Sequence, residues 1–286
     1  MKSLKYILLA VLLMAAGCKD VEHPYVGYLV IQRALVEASG EAATVTADTD
    51  ISDPLQLIGI KTDDGKQGED AWCSVSINGK NITVTAQANP DEKNFRTATV
   101  TIKCGYRVTE FTVLQKHAGQ ELLEHDWTLW SATGSDVQAG DGGGYPSLFV
   151  DDNTSYWHSQ YSPALENPLP HSIIIDMKKE LPISLCRIGR RLYTGNGNIY
   201  PSVKTMNIYA GTDSENYEKI GGFTFSLPWT APDGTEVNGN SPLVPLYEEV
   251  VLTETVTARY IKLEITETNN TNGVSQVAYF KAYEKL

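Results

Sequence analysis

Residues 170–191 read Pro-His-Ser-Ile-Ile-Ile-Asp-Met-Lys-Lys-Glu-Leu-Pro-Ile-Ser-Leu-Cys-Arg-Ile-Gly-Arg-Arg. The stretch contains two apolar runs, 172–176 and 185–188, and each has the length of a strand. Within the first run, Ile173–Ile175 is continuously apolar and β-branched, which is typical of a strand buried on both faces. No neighbouring stretch has sustained helical periodicity. The sequence therefore predicts β structure at the centre of a C-terminal domain.

Further strand candidates lie on the C-terminal side of this stretch, at 204–210, 217–221, 259–265 and 277–283. Most of them alternate apolar and polar residues, which is the pattern of a strand with one buried face. A segment of about 160 residues can bury a good core as one domain. We therefore predict that residues 126–286 form a single all-β domain.

A second region of period-2 alternation lies nearer the N-terminus, within residues 26–116. Apolar and polar residues alternate at 82–87 and again at 97–103, with turn signals at Asn78-Gly79 and Cys104-Gly105. Short strands at this spacing predict a small all-β sandwich. Residues 117–125 are then a connector between two domains.

The N-terminus has the composition of an export signal. Lys2 and Lys5 precede a short apolar run at 7–14, and Ala15-Ala16-Gly17-Cys18 follows. The run is too short to span a bilayer, so it predicts a cleaved signal rather than a transmembrane helix.

A cysteine placed directly after Ala-Ala-Gly resembles the lipobox of bacterial lipoproteins. The resemblance implies cleavage after residue 17, acylation of Cys18, and a tether at 18–25 on the outer membrane. The segment 19–22 (Lys-Asp-Val-Glu) resembles the acidic tether of Bacteroidetes lipoproteins exported to the outer face. The alternative is an ordinary signal peptide followed by a chance cysteine.

The chain is acidic, with a net charge of −12. Removal of residues 1–17 takes away two lysines and no acids, so the mature charge is −12 − 2 = −14. An acidic surface argues against nucleic acid as a partner. Cys73, Cys104 and Cys186 remain after processing, and an odd count leaves at least one free thiol. Cys73 and Cys104 could pair, or both could be buried thiols.

The first domain resembles a known family. The segments Trp72-Cys73-Ser74-Val75, 81–86, 96–102 and 111–115 are similar in order and spacing to the BACON domain. The resemblance implies an immunoglobulin-like β-sandwich that is common in Bacteroidetes glycan-processing proteins. We interpret this copy as a spacer.

The second domain resembles the coagulation factor 5/8 type C, or discoidin, family. The segments that carry this resemblance are 149–159, 170–177, 185–191, 208–217 and 258–263. The resemblance implies a jelly-roll β-sandwich, and among relatives it points to family 32 carbohydrate-binding modules, many of which bind galactose-type sugars. The fold class expected for the whole chain is therefore all-β, with two sandwiches in sequence.

A sugar site needs an aromatic ring for the apolar face of the pyranose and polar groups for its hydroxyls. The resemblance assigns these roles to His158, Tyr161, Arg190, to Asn196 or Asn198, and to Asn272 in the late loop. Galactose or N-acetylgalactosamine is the ligand that this set would favour. Arg191 lies beside Arg190 and would point to the opposite side of a strand.

A structural Ca²⁺ site is a second feature that the family resemblance implies. Its candidate ligands are Asp151, Asn153 and Ser155, because oxygen donors suit Ca²⁺. The loop is one residue shorter than the family pattern, and Tyr279 stands at the late glutamate position. The alternative is an Asx-type turn with solvated carboxylates.

No catalytic motif occurs in the sequence, and the five histidines lack metal-ligand spacing. We therefore expect no enzyme activity, but a surface lipoprotein that binds glycan and assists a glycan-utilisation system, where uptake-complex partners are possible. One alternative is an adhesion or assembly module that binds protein or lipid headgroups, with 227–229 (Leu-Pro-Trp) as an apolar spike. Another is a spacer that has lost its ligand.

Overall fold

The structure is a computed structural model that describes residues 27–166 and 168–286. The predicted signal peptide, Cys18 and the tether at 18–25 lie outside these residues. The chain divides into two compact units, Met1–Gln120 and Glu121–Leu286. Within the described residues no helix is both long and apolar enough to cross a membrane.

The first unit is a β-sandwich. One sheet has the strand order β2-β9-β8-β5 and the other has the order β3-β7-β6, while β1 pairs with β4. A short 3₁₀ helix at Gly68–Asp70 connects the two sheets. The strands are β1 (Leu29–Val30), β2 (Ala34–Val36), β3 (Ala43–Thr46), β4 (Asp48–Thr49), β5 (Leu55–Thr62), β6 (Cys73–Asn78), β7 (Asn81–Ala86), β8 (Arg96–Cys104) and β9 (Arg107–Gln115).

Alternation along these strands builds the core of the first unit, as the sequence pattern predicts. Ile82 and Val84 of β7 face Val100 and Ile102 of β8, and all four side chains are fully buried in one apolar cluster. Cys73 and Cys104 are buried free thiols in this unit and form no disulfide. Of the two alternatives for these cysteines, the structure therefore has the buried thiols.

The second unit contains the longer strands of the chain. Its strands are β10 (Leu122–Glu124), β11 (Ser131–Gly134), β12 (Trp157–His158), β13 (His171–Gly189), β14 (Arg191–Tyr193), β15 (Asn198–Tyr200), β16 (Val203–Gly211), β17 (Glu218–Thr224), β18 (Trp229–Thr230), β19 (Glu236–Val237), β20 (Tyr247–Thr268), β21 (Gln276–Val277) and β22 (Phe280–Lys285). A short 3₁₀ helix spans Tyr145–Phe149.

Strands β13 and β20 organise this unit, because each of them belongs to both faces of a sandwich. The main sheet has the order β10-β22-β13-β20-β16-β17, and β11 also pairs with β13. Ile173 is opposite Leu263 at one end of the pair, and Cys186 is opposite Val250 at the other, with bulges between them. All four residues belong to one core cluster, so the two halves of the sheet face each other. The predicted strands at 172–176 and 185–188 are thus parts of one bent strand.

The second unit begins at Glu121, earlier than the predicted Asp126. Strand β10 pairs with β22, and the amide of His125 donates to the carbonyl of Ala282. The predicted connector at 117–125 is therefore divided: residues 117–120 belong to the first unit, and the rest adds an edge strand to the second.

Candidate functional site

A buried ion pair joins three loops at one end of the second unit. His171 is completely buried, and its Nδ1 lies 2.9 Å from a carboxylate oxygen of Asp136. Its Nε2 lies 2.7 Å from the carbonyl oxygen of Gly273. The other carboxylate oxygen of Asp136 accepts a hydrogen bond from the amide of Gln160. The loops that carry Asp136, Gln160 and Gly273 are therefore held against one another.

These loops enclose a depression of about 620 Å³. This volume lies within the range of about 300–1,000 Å³ that ligand pockets occupy. We call it the first depression. Its lining residues are Asp141, His158, Gln160, Tyr161, Ala164, Leu165, Pro168, Asn272 and Val274.

Tyr161 supplies an aromatic surface whose position is fixed. The side chain is 45% exposed, and its hydroxyl donates to Asp141 at 3.1 Å. The carbonyl oxygen of the Gln138 side chain accepts hydrogen bonds from the amides of Tyr161 and Ser162. Because both the backbone and the phenol are held, the ring is ready to pack on a ligand with little loss of entropy.

Asp141 connects Tyr161 to the base of the site. Its second carboxylate oxygen accepts a hydrogen bond of 2.8 Å from the hydroxyl of Tyr156. Burial acts to raise the pKa of Asp141, but these two tyrosine hydrogen bonds and the positive side chains nearby outweigh it and lower the pKa. Gly142 allows the close approach, because a Cβ there would lie 2.5 Å from the Tyr156 ring at a φ of +75°. Asp141 is thus an ionised acceptor on the wall of the depression.

His158 is buried, and both of its ring nitrogens have protein partners. Nδ1 lies 2.7 Å from the carbonyl oxygen of Ser159, which can only accept, so Nδ1 carries the hydrogen. In the neutral ring Nε2 then accepts from the side-chain amide of Gln276 at 2.9 Å. The pairing of β12 with β21 places the two residues directly opposite each other. His158 therefore orients Gln276, and its nitrogens are not free for a ligand hydroxyl.

Arg191 is the cation next to this group. Its guanidinium lies 4.1 Å from the centre of the Tyr156 ring and 4.9 Å from that of the Tyr200 ring. Its Nε is buried, and no described residue accepts a hydrogen bond from it. The charge of Arg191 acts on the pKa of Asp141, of His158 and of Tyr161, so it lies within electrostatic range of all three.

The combined arrangement suits a neutral polyhydroxylated ligand. Tyr161 offers a ring face, Asp141 offers acceptor oxygens, and Asn272 offers an amide that can both donate and accept. Among the described residues that line this depression there is neither a nucleophile with a general base nor a pair of opposed carboxylic acids.

Comparison with family models identifies the second unit. The model of the F5/8 type C domain matches residues 131–280, which is more than half of the chain. The chain belongs to the F5/8 type C domain family. The BACON model matches residues 62–116, inside the first unit. Both resemblances that the sequence indicated are confirmed.

Solved structures with similarity to the chain share low identity with it. The family 32 carbohydrate-binding module of NanJ from Clostridium perfringens, in complex with galactose, is 16% identical; the match covers 57% of this chain and 99% of that one, with a TM-score of 0.41. The C-terminal domain of a chitobiase from Bacteroides fragilis is 22% identical, with 57% and 99% covered and a TM-score of 0.42. A SusE-like protein is 15% identical, with 90% and 96% covered and a TM-score of 0.45. A search of curated proteins found no match. Similarity at this level does not show what the F5/8 type C domain of this chain binds.

Arg190 does not join the site, which corrects its assignment as the ligand-binding arginine. The side chain is 6% exposed and forms an ion pair with Glu248. It also donates to the carbonyl of Pro245 at 2.9 Å and stacks on Phe225. Position explains this outcome, because Arg190 lies in the break between β13 and β14, where its amide donates to the carbonyl of Leu246, and Arg191 begins β14 opposite Tyr200.

The predicted asparagines have different positions. Asn272 lines the first depression together with His158 and Tyr161. Asn196 and Asn198 lie at the turn between β14 and β15, where the side chain of Asn196 accepts a hydrogen bond from the amide of Asn198. Neither of them lines the first depression. The structure therefore brings together His158, Tyr161 and Asn272, and leaves Arg190, Asn196 and Asn198 outside.

Sequence reasoning missed Asp141, Gln276 and the role of Arg191. The glycine-rich segment 140–144 was a usable signal for Asp141, because glycines with positive φ bring a loop close to a neighbouring backbone. No sequence signal identifies Gln276, since its position depends on the pairing of two short strands that are far apart in the chain.

The segment 227–229, a candidate apolar spike by its sequence, packs against other residues of the domain. Trp229 stacks on Phe225 with ring centres 5.5 Å apart, and Leu227 packs in the same small cluster. The segment therefore supports the hairpin of β18 and β19 and does not present an apolar tip. This arrangement gives no support to the lipid-headgroup alternative.

The candidate calcium ligands do not fit a cation site. The carboxylate of Asp151 lies 2.9 Å from the ammonium group of Lys281, and a positive partner there opposes a second cation. Asn153 donates its amide to the carbonyl of Arg190, and Ser155 donates its hydroxyl to Asp152. Asp152 also accepts from the amide of Thr154, so the loop is an Asx-type turn. Calcium binding stays a prediction from the family resemblance.

We expect His158 to titrate below its ordinary pKa of about 6.5. Burial is the main cause that lowers the pKa, and the charge of Arg191 adds to it. Between the folded and unfolded pKa values the unfolded chain binds more protons, so stability from this residue is complete above pH of about 6.5 and is lost as the pH falls through the folded pKa. An NMR titration checks this, with the resonance assigned by its absence in His158→Gln. A measured pKa at or above about 6.5 would contradict the buried neutral ring.

Proposed function

We propose that the F5/8 type C domain binds carbohydrate and catalyses nothing. The observation that carries this proposal is the fixed ring of Tyr161 beside the acceptor oxygens of Asp141 and the amide of Asn272. The C–H face of a pyranose packs on such a ring, and its hydroxyls recover from Asp141 and Asn272 the hydrogen bonds that they lose from water. Arg191 packs on the ring of Tyr156, whose hydroxyl donates to Asp141, and so supports this group.

The ligand that we propose is a galactose-type or N-acetylgalactosamine-type glycan. This finer proposal rests on the resemblance to family 32 carbohydrate-binding modules. Because the nitrogens of His158 are occupied within the protein, its role in the proposed complex is to hold Gln276 in position. A shallow site that holds one sugar buries little area, so affinity for a monosaccharide should be weak.

We expect Tyr161→Ala to lower the affinity for galactose about tenfold, because loss of an aromatic contact is worth roughly 1 kcal/mol or more. Tyr247→Ala is the matched control. Tyr247 is also exposed, at 39%, but stacks with Arg187 and lines no part of the depression. Isothermal titration with galactose, N-acetylgalactosamine and glucose measures both variants.

Absence of binding of any of these sugars to the wild-type chain, confirmed on an array of mono- and oligosaccharides, would refute the proposed function. Equal losses in Tyr161→Ala and Tyr247→Ala would refute the location of the site.

The two neighbouring arginines should respond differently to substitution. Arg191→Ala should reduce sugar affinity with a smaller effect on unfolding, since its guanidinium packs on the Tyr156 ring whose hydroxyl holds Asp141. Arg190→Ala should lower the free energy of unfolding by about 3 kcal/mol, because it leaves Glu248 without its partner, while the folded protein keeps its affinity. Calorimetry and titration of both variants test this. A well-folded Arg190→Ala that no longer binds sugar would reverse the assignment.

We propose further that the chain is a lipoprotein, acylated at Cys18 and displayed on the outer membrane, where it assists glycan capture for an uptake system. The support is the sequence Ala15-Ala16-Gly17-Cys18 after a charged and apolar leader, together with the acidic segment that follows. In this arrangement the first unit acts as a spacer that carries the F5/8 type C domain away from the membrane.

Metabolic labelling with a palmitate analogue should mark the wild-type chain and not Cys18→Ser. The substituted chain lacks the thiol that receives the acyl group, so it should also fractionate away from membranes. A Cys73→Ser variant is the matched control and should label like the wild type. Equal labelling of Cys18→Ser and wild type would exclude lipidation at this position.

A further inference from the structure

A second depression lies directly beside the first. It has a volume of about 290 Å³, and Tyr200, Leu227, Asn238, Asn240 and Gln276 contribute to its lining. Asn272 and Val274 line both depressions, so a single ridge separates them. A ligand in the first depression therefore lies next to a second concave surface, and only the ridge of Asn272 and Val274 stands between the two.

Gln276 connects the two depressions chemically. Its amide nitrogen donates to His158, which lines the first depression, while Gln276 itself lines the second. The carbonyl oxygen of the same side chain is buried, and no described residue donates a hydrogen bond to it. Buried acceptors in folded proteins nearly always have a donor. This oxygen therefore has bonding capacity that no described residue uses, at a position between the two depressions.

The second depression also contains the other feature that a sugar requires. Tyr200 and Leu227 add apolar surface, and Tyr200 packs against the guanidinium of Arg191. Exposed amides of Asn238 and Asn240 lie on the same lining. The ring, the amides and the unpaired oxygen of Gln276 repeat the combination of groups found in the first depression.

The walls of the second depression are rigid before any ligand binds. The side-chain amide of Asn269 donates to the carbonyls of Pro201 and Phe225, at 2.9 and 2.8 Å. The side chain of Asn270 bonds both the carbonyl and the amide of Val274, which fixes the ridge. A preformed surface costs little to occupy, so contacts made there add to affinity.

We propose that the second depression is a subsite for a second sugar unit, so that the ligand is an oligosaccharide that crosses the ridge of Asn272 and Val274. This proposal rests on the proposed function of the first depression and specifies its ligand class. The first sugar packs on Tyr161. The next unit lies over the ridge, against Tyr200 and the amides of Asn238 and Asn240.

Titration calorimetry with galactose, lactose, N-acetyllactosamine and galactobiose tests the proposal on the full chain. We expect at least one disaccharide to bind at least fivefold more tightly than galactose. The double variant Asn238→Ala/Asn240→Ala should abolish this gain and leave the affinity for galactose unchanged, because both side chains line only the second depression. Asn216→Ala is the matched control, since this exposed asparagine lines neither depression. It should keep the gain.

Each outcome decides the proposal. Disaccharides that bind no more tightly than galactose would overturn the second subsite and leave the proposed function intact. A gain that survives in the double variant would place the second sugar elsewhere and also overturn it. If none of the sugars binds, both the proposed function and the subsite are refuted. A gain that the double variant removes, with galactose binding preserved, supports the subsite.

Discussion

The contact of His171 with Asp136 on one side and with Gly273 on the other is the constraint on which the ligand-binding end depends. The ring is fully buried, and both of its partners are hydrogen-bond acceptors held at 2.9 and 2.7 Å. Burial acts to raise the pKa of Asp136, but its hydrogen bonds and the ring of His171 outweigh this effect and lower the pKa. An ionised carboxylate can then hold the Gln160 loop as well. This contact adds to the pairing of β12 with β21 and to the hydrogen bonds between Ser159 and Ser275, which attach the same walls.

The same end of the domain shows how a rigid sandwich prepares a site on loops. Tyr161 is oriented through Gln138 on its backbone and Asp141 on its hydroxyl, while Gln276 is oriented through His158. Tyr161 and Gln276 are thus each held by a residue, Gln138 or His158, that is not assigned to the ligand. This division explains why His158, the residue that the family resemblance selects first, has its nitrogens turned to the protein. Pre-organisation of this kind matters most in a shallow site, because few contacts are available there to offset the entropy lost when side chains become ordered.

Two adjacent arginines show that residue type alone does not determine whether a side chain belongs to the site. Arg190 and Arg191 have the same chemistry, yet one is buried in an ion pair with Glu248 and the other is stacked between two tyrosine rings beside the site. Their difference comes from position, since Arg190 lies in the break between β13 and β14 and Arg191 begins β14 opposite Tyr200. The loop that follows Asp151 makes a related point, because Lys281 already neutralises a carboxylate that was a candidate metal ligand.

The sequence by itself determined the fold class. Alternation of apolar and polar residues and the positions of turn residues are local properties, so they can be recognised without knowing which residues are in contact. The sequence also determined which family the second unit resembles and placed His158, Tyr161 and Asn272 near one site. Only the tertiary structure decided that 172–176 and 185–188 are one bent strand, that Arg191 replaces Arg190, and that Gln276 connects two depressions. These features depend on pairings between segments far apart in the chain, and such pairings are set by the packing of the whole domain and not by any local pattern.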